Sequence, residues 1–155
     1  MGMDADFAAF VAAAREAAVP LVIVSDGLDY AIASILERHG LGGLTVLANR
    51  LVQTGERSWR LAFPHAQPDC RSASGNCKCA CARDLGAAGR PAGGARNRVL
   101  LIGDGASDFC VAGEVDLVFA KADLLAHCAA NGIAHQHVID FAQALDLLSD
   151  LHALI

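Results

Sequence analysis

The stretch Arg98-Val-Leu-Leu-Ile-Gly-Asp-Gly-Ala-Ser-Asp108 constrains this chain more than any other. Val99 to Ile102 are apolar without alternation, the pattern of a strand buried on both faces, and the run stops in a loop of glycine, aspartate and small residues from Gly103 to Asp108. A strand of that kind needs cover on both sides, which an α/β sheet layered with helices provides. In such sheets ligands are held beyond the carboxyl ends of the strands. Two carboxylates, Asp104 and Asp108, stand at that end.

The rest of the chain repeats the strand and helix alternation. Asp4 to Ala18 carries Phe7, Phe10, Val11 and Ala14 at helical spacing, with an aspartate available as N-cap. After Pro20, Leu21 to Val24 read as a short buried strand ending in Ser25-Asp26-Gly27, and Leu28 to Arg38 read as a helix stopped at His39-Gly40. From Leu44 to Phe63 the period becomes strand-like around the turn Thr54-Gly55-Glu56, which predicts a small β-ribbon. A Cys-rich loop follows, then a weakly helical stretch from Cys77 to Gly89 and a flexible link at Pro91 to Gly94. Beyond the central strand come a helix opening near Ser107 to Ala112, a strand at Asp116 to Ala120 and a helix over Ala122 to Asn131. The last elements are a strand at His137 to Ile139 and a helix from Phe141 to Leu154 with Leu145, Leu148 and Leu151 on its apolar face. The order predicts a mostly parallel sheet with helices on both faces, in one domain over residues 1–155, with the ribbon and Cys-rich loop inserted at about 44–77.

Charge and cysteine content narrow the function classes. A formal net charge of -5 argues against a nucleic-acid partner, which needs concentrated positive charge. No apolar run is long enough to span a bilayer and the N-terminus lacks the order of a signal peptide, so no membrane partner and a cytoplasmic location are expected. Cys70, Cys77, Cys79 and Cys81 crowd within a dozen residues. They could pack together or, with His65, hold Zn²⁺, although Cys-x-Cys-x-Cys is not the usual zinc spacing.

Three segments place polar residues at or near sheet ends: Ser25-Asp26-Gly27, Lys78, and the Asp104/Asp108 pair. Phosphoryl transfer from a monoester needs this set. A hydroxyl and backbone N–H groups hold phosphate oxygens, a cation balances their charge, carboxylates hold Mg²⁺, and glycines let the backbone come close. The alternative of a dinucleotide turn at Gly103-x-Gly105 meets Asp108 where close helix packing wants Gly or Ala. Ser25 could equally cap the helix that follows it.

The wording of these motifs resembles the haloacid dehalogenase (HAD) superfamily of phosphatases. Ile23-Val-Ser-Asp-Gly-Leu-Asp29 is similar to its second motif, Gly75-Asn-Cys-Lys78 to its third, and Gly103-Asp-Gly-Ala-Ser-Asp-Phe-Cys110 to its fourth. Phe63-Pro-His65 and the cysteine loop resemble the phosphoserine-phosphatase-like branch, which includes phosphoethanolamine/phosphocholine and methionine-salvage phosphatases. The resemblance implies a three-layer Rossmann-like core and Mg²⁺-dependent hydrolysis of a small phosphorylated metabolite through an aspartyl-phosphate. It gives Ser25, Asp26, Gly27 and Lys78 to phosphate binding, Lys78 and Asp108 to catalysis, and Asp104 and Asp108 to the metal.

One departure stands against these agreements. The family's nucleophile and general acid form an Asp-x-Asp at the end of an N-terminal apolar strand. Asp4-Ala-Asp6 has that spelling, but only three residues precede it and helix follows directly, so both read as helix-start residues. The expectation is therefore a HAD-like chain without the opening strand and the helical cap, inactive or impaired as it stands. Its alternative is a non-catalytic remnant that binds phosphate or a partner chain. In the family the missing strand lies between those ending at Ser25 and Asp104. Its absence predicts that these two strands pair directly, that copies swap strands in a homo-oligomer, or that a strand is received from elsewhere.

Overall fold

A computed structural model describes residues 3–89 and 93–152. Helix α1 spans Phe7–Glu16 and buries Phe7, Phe10, Val11 and Ala14, the residues its 3.6 period puts on one face. Asp6 occupies its N-cap position without a side-chain cap bond. It is Asp4 that organises the turn, its Oδ1 accepting the Asp6 amide at 2.9 Å. Strand β1 (Val22–Leu28) leads into α2 (Asp29–Arg38) and the long β2 (Thr45–Gly55), which folds back as β3 (Ser58–Ala62). Helix α3 (Lys78–Ala87), β4 (Leu100–Gly103), a 3₁₀ turn (Ala106–Asp108) and the short α4 (Phe109–Ala112) follow. The chain continues through β5 (Leu117–Ala120), α5 (Ala122–Ala130), β6 (Gln136–His137) and α6 (Phe141–His152). No described helix is long and apolar enough to cross a membrane. The link expected at 91–94 and the end of the last helix, with Leu151, fall wholly or partly outside the residues whose side chains are described.

The strands form two three-stranded sheets, β1-β2-β3 and β4-β5-β6. β1 runs parallel to β2, β4 to β5 and β5 to β6, while β2 and β3 make an antiparallel ribbon. Of the three outcomes expected for β1 and β4, direct pairing is not met: among the described residues each pairs on one edge alone. This explains a second difference from the sequence reading. β4 is half-buried along its whole length rather than buried on both faces, because one edge of it lacks a neighbouring strand.

Helices hold the two sheets in one body. Phe141 of α6 meets Phe7 and Phe10 of α1 edge-on, with ring centroids 4.8 and 5.3 Å apart, contacts worth about 0.5–1.5 kcal/mol each beyond their buried area. Phe10 also packs in the cluster that contains Phe119, Val138 and Ala144, together with Leu21 and Leu100 from either side of the divide. The ribbon has less to pack on. Beyond Asn49 no residue of β2 pairs with β1, so Leu51, Trp59 and Leu61, which share a face by alternation, remain exposed.

Candidate functional site

The site is built where β1 breaks its register. Val24 pairs with Leu47 and Leu28 with Asn49, so Ser25, Asp26 and Gly27 face a single residue of β2 and bulge out of the sheet. Side chains from elsewhere fix the bulge. Asn49 Nδ2 donates to the Asp26 carbonyl at 2.7 Å. Asn76 Nδ2 donates to the carbonyls of Ser25 at 2.9 Å and Leu47 at 2.7 Å. Ser25 Oγ accepts the Gly27 amide at 3.0 Å, which leaves its own hydroxyl proton to point elsewhere.

The segment before α3 is latched to the same bulge. Asp26 Oδ1 accepts from Ser74 Oγ at 2.8 Å and from the Asn76 amide at 3.2 Å. Asp26 thus ties one carboxylate oxygen to the chain, although the residue is exposed. Asn76 is fully buried, and Gly75 passes so close to the Phe63 ring that a β-carbon there would lie under 3 Å from it. These contacts set the start of α3, and with it Lys78, beside β1.

Lys78 reaches the loop after β4. Its Nζ donates to Asp108 Oδ1 at 2.6 Å and to Ser107 Oγ at 2.9 Å, with the two side chains of the ion pair only 12% and 7% exposed. Asp108 Oδ2 accepts the amides of Asp104 and Gly105 at 3.2 and 3.3 Å. Both oxygens of Asp108 are therefore engaged within the chain. Gly103 makes this possible, since a β-carbon there would stand 2.6 Å from Asp108 Oδ2 and 3.0 Å from Leu124 Cδ2. Asp104, by contrast, is exposed and its carboxylate accepts no hydrogen bond from the described residues. It lines a cleft of about 200 Å³ with Gly103, Lys121, Asp140 and Phe141.

The structure thus brings Lys78 to Asp108 and the Ser25 bulge to the segment leading into α3. It separates Asp104 from Asp108 by role, one carboxylate outward and the other spent on Lys78 and the loop amides. Asn76, Ser74, Asn49 and Ser107 were given no site role in the sequence reading although they hold the site together. A buried Asn two residues before a lysine carries no periodic signal that could reveal them. No Asp-x-Asp pair ends a strand among the described residues; Asp4 and Asp6 lie in the turn before α1.

The cysteines are not gathered as a zinc site. Among the described residues no group of three or more His, Cys, Asp or Glu side chains could hold a metal. Cys77 and Cys79 are instead packed against Val111, with Cys70 and Cys110 at the edge of that cluster. Burial pushes the Cys79 thiol up to about 12 and raises Cys77 and Cys81 as well. Cys70 differs: a hydrogen bond from Ser72, with help from the Ser74 backbone, lowers its thiol to about 7.

Comparison with known proteins gives this geometry a context. Residues 2–113 match the model of the haloacid dehalogenase-like hydrolase family. The chain is similar to a protein of Geobacillus kaustophilus named 2-hydroxy-3-keto-5-methylthiopentenyl-1-phosphate phosphatase, 32% identical over 99% of this chain and 66% of the relative. Proteins of the same name from an Exiguobacterium species (32% identical, 73% of this chain, 49% of the relative) and Geobacillus thermodenitrificans (30%, 96% and 64%) are also similar. The chain spans between half and two thirds of the length of these curated relatives.

Proposed function

Since the chain belongs to the haloacid dehalogenase-like hydrolases, we propose that it carries the phosphate-binding wall of a phosphomonoester hydrolase, for a small phosphorylated metabolite of the kind its relatives' name specifies. Lys78 supplies the main support. An ammonium has three N–H groups, and two are spent on Asp108 and Ser107, which leaves one and the positive charge for a phosphate oxygen. The Ser25 hydroxyl and the bulge beside it offer neutral donors, held open by Asn49 and Asn76. Asp26 acts through the latch to the 74–76 segment, and Gly27 gives the bulge room.

Mg²⁺ fits the donor chemistry, because it is held by one or two carboxylates together with phosphate and water, and Asp104 is an outward carboxylate at the right end of β4. Asp104 would hold the ion, whose charge would balance that of the phosphate; Asp108 stays behind it as the anchor of Lys78. The described residues bind and orient a phosphate in this reading, but none of them attacks it. Turnover requires an aspartate on a strand that enters between β1 and β4.

Titration with inorganic phosphate followed by ³¹P NMR, on the chain and on Lys78→Met, tests this. Binding that weakens at least tenfold in the variant supports it. Equal binding by both proteins, or none by either, rejects it. The second reading, a module that binds phosphate or a partner chain and never turns over, is favoured by the edges of β1 and β4 that are unpaired among the described residues. It predicts phosphate binding with no gain of turnover when an extended apolar peptide ending in Asp-x-Asp is added.

A further inference from the structure

The cysteine pair between α3 and α4 has no part in phosphate binding, yet its geometry is specific. Cys79 Sγ donates to Cys110 Sγ at 3.3 Å, across a sequence separation of 31 residues. Both are free thiols, with Cys79 buried and Cys110 half-buried. Arg71 closes the group from outside, its guanidinium donating to the Cys110 carbonyl at 3.2 Å and to Glu114 at 2.6 Å. Glu114 also takes Arg83 of α3 at 2.8 Å, so an ion pair ties α3 to the turn that follows α4.

We propose that Cys79 and Cys110 form a reversible oxidation site, closed to a disulfide by peroxide. The half-buried Cys110 thiol meets the oxidant first: one oxygen transfers from hydrogen peroxide to sulfur, giving a sulfenic acid and one water. Cys79 sulfur then attacks the Cys110 sulfur, the S–O bond breaks, and hydroxide leaves with the Cys79 proton as a second water. Two thiols are oxidised by two electrons and one peroxide is reduced to two waters. The sulfurs already touch, so closure asks for little movement. Cys79 directly follows Lys78, and Cys110 lies two residues after Asp108. The bond therefore ties together the two short segments that carry the buried ion pair, and closing a loop of this length restricts the unfolded chain.

The pair is distinguished from its neighbours by what surrounds it. Cys77 and Cys81 are buried, and Cys128 is buried in a different cluster, against Val118 and Leu124. Cys70 is the competing site, because its lowered thiol is the more reactive towards alkylating agents and it lies next to Cys77.

Treating the reduced chain with an equimolar amount of peroxide, then mapping tryptic peptides under non-reducing conditions, tests the proposal. Expected is a link between peptides 79–83 and 99–121, with fragment ions placing it on Cys79 rather than Cys81. Two free thiols should be lost, the midpoint of thermal unfolding should rise by roughly 5–10 °C, and dithiothreitol should reverse all three. Cys110→Ser, at the less buried partner, should abolish the link and the rise. A Cys70–Cys77 link, oxidation of Cys110 to sulfinic acid without a link, unchanged thiols, or a two-thiol loss that persists in Cys110→Ser would each overturn it.

Discussion

Removing the Lys78 ammonium gives the most direct test of how the site is held together. In Lys78→Met the Asp108 carboxylate loses its partner on Oδ1 while staying only 7% exposed, with its other oxygen still taking the Asp104 and Gly105 amides. Breaking a buried ion pair on one side costs about 3–5 kcal/mol, because the remaining charge stays out of water. The two retained amide bonds place the expectation at the low end, about 3 kcal/mol. Asp108→Asn should cost a similar amount, since it leaves the ammonium, 12% exposed, with Ser107 as its described partner. If the two act as a pair, the double variant should be more stable than the sum of the single losses predicts, by roughly 2 kcal/mol. Urea unfolding monitored by circular dichroism measures all four proteins, and with a slope of about 1–3 kcal/mol per molar the single variants should unfold at least ~1 M earlier. Single losses below about 0.5 kcal/mol, or losses that add within about 0.5 kcal/mol, would refute a coupled buried pair.

Gly103→Ala forces a β-carbon against Asp108 Oδ2 and Leu124, so it should cost about 1–3 kcal/mol and lower the thermal midpoint by roughly 2–10 °C; an unchanged midpoint would show that the loop yields freely. Cys70 should be alkylated by iodoacetamide first among the cysteines at pH 7, with a rate that rises through a midpoint near 7, where its thiol loses its proton. Because folding lowers that pKa from an ordinary 9.0, the Cys70 contribution to stability is full above pH 9 and fades as pH falls through 7. Ser72→Ala should move the alkylation midpoint upward, and a midpoint that stays near 7 would remove the Ser72 hydroxyl as its cause.

Much of the fold was legible because apolar period and glycine placement are local. α1, α2, α5 and the start of α6 stand within the helical stretches read at Asp4 to Ala18, Leu28 to Arg38, Ala122 to Asn131 and Phe141 to Leu154, and the 3₁₀ turn and α4 open within the loop that stops β4. The residue types of the site were legible too, as Ser25, Lys78, Asp104 and Asp108 each follow or precede a recognisable element. Their geometry was not. Lys78 and Asp108 meet across 30 residues, and Asn76 joins Ser25 across 51, distances over which a sequence pattern carries no hydrogen-bond direction. The bulge at Ser25 to Gly27 escaped for a related reason: it depends on the register with β2, set by pairing rather than by the β1 residues themselves. A gap between β1 and β4 could be anticipated because no Asp-x-Asp strand was read in this sequence, but not that both edges stay open among the described residues, nor that α1 and α6 hold the halves together through three phenylalanines.

Hydrolysis of an aryl phosphate by the 155-residue chain in the presence of Mg²⁺, measured beside Asp104→Asn, tests the central claim most directly. That claim is a phosphate-binding wall whose described residues include no nucleophile. It predicts that the chain alone releases phenolate no faster than the Asp104→Asn variant. Turnover by the chain that the substitution abolishes would contradict it, because a complete active site would then have to exist within this fold.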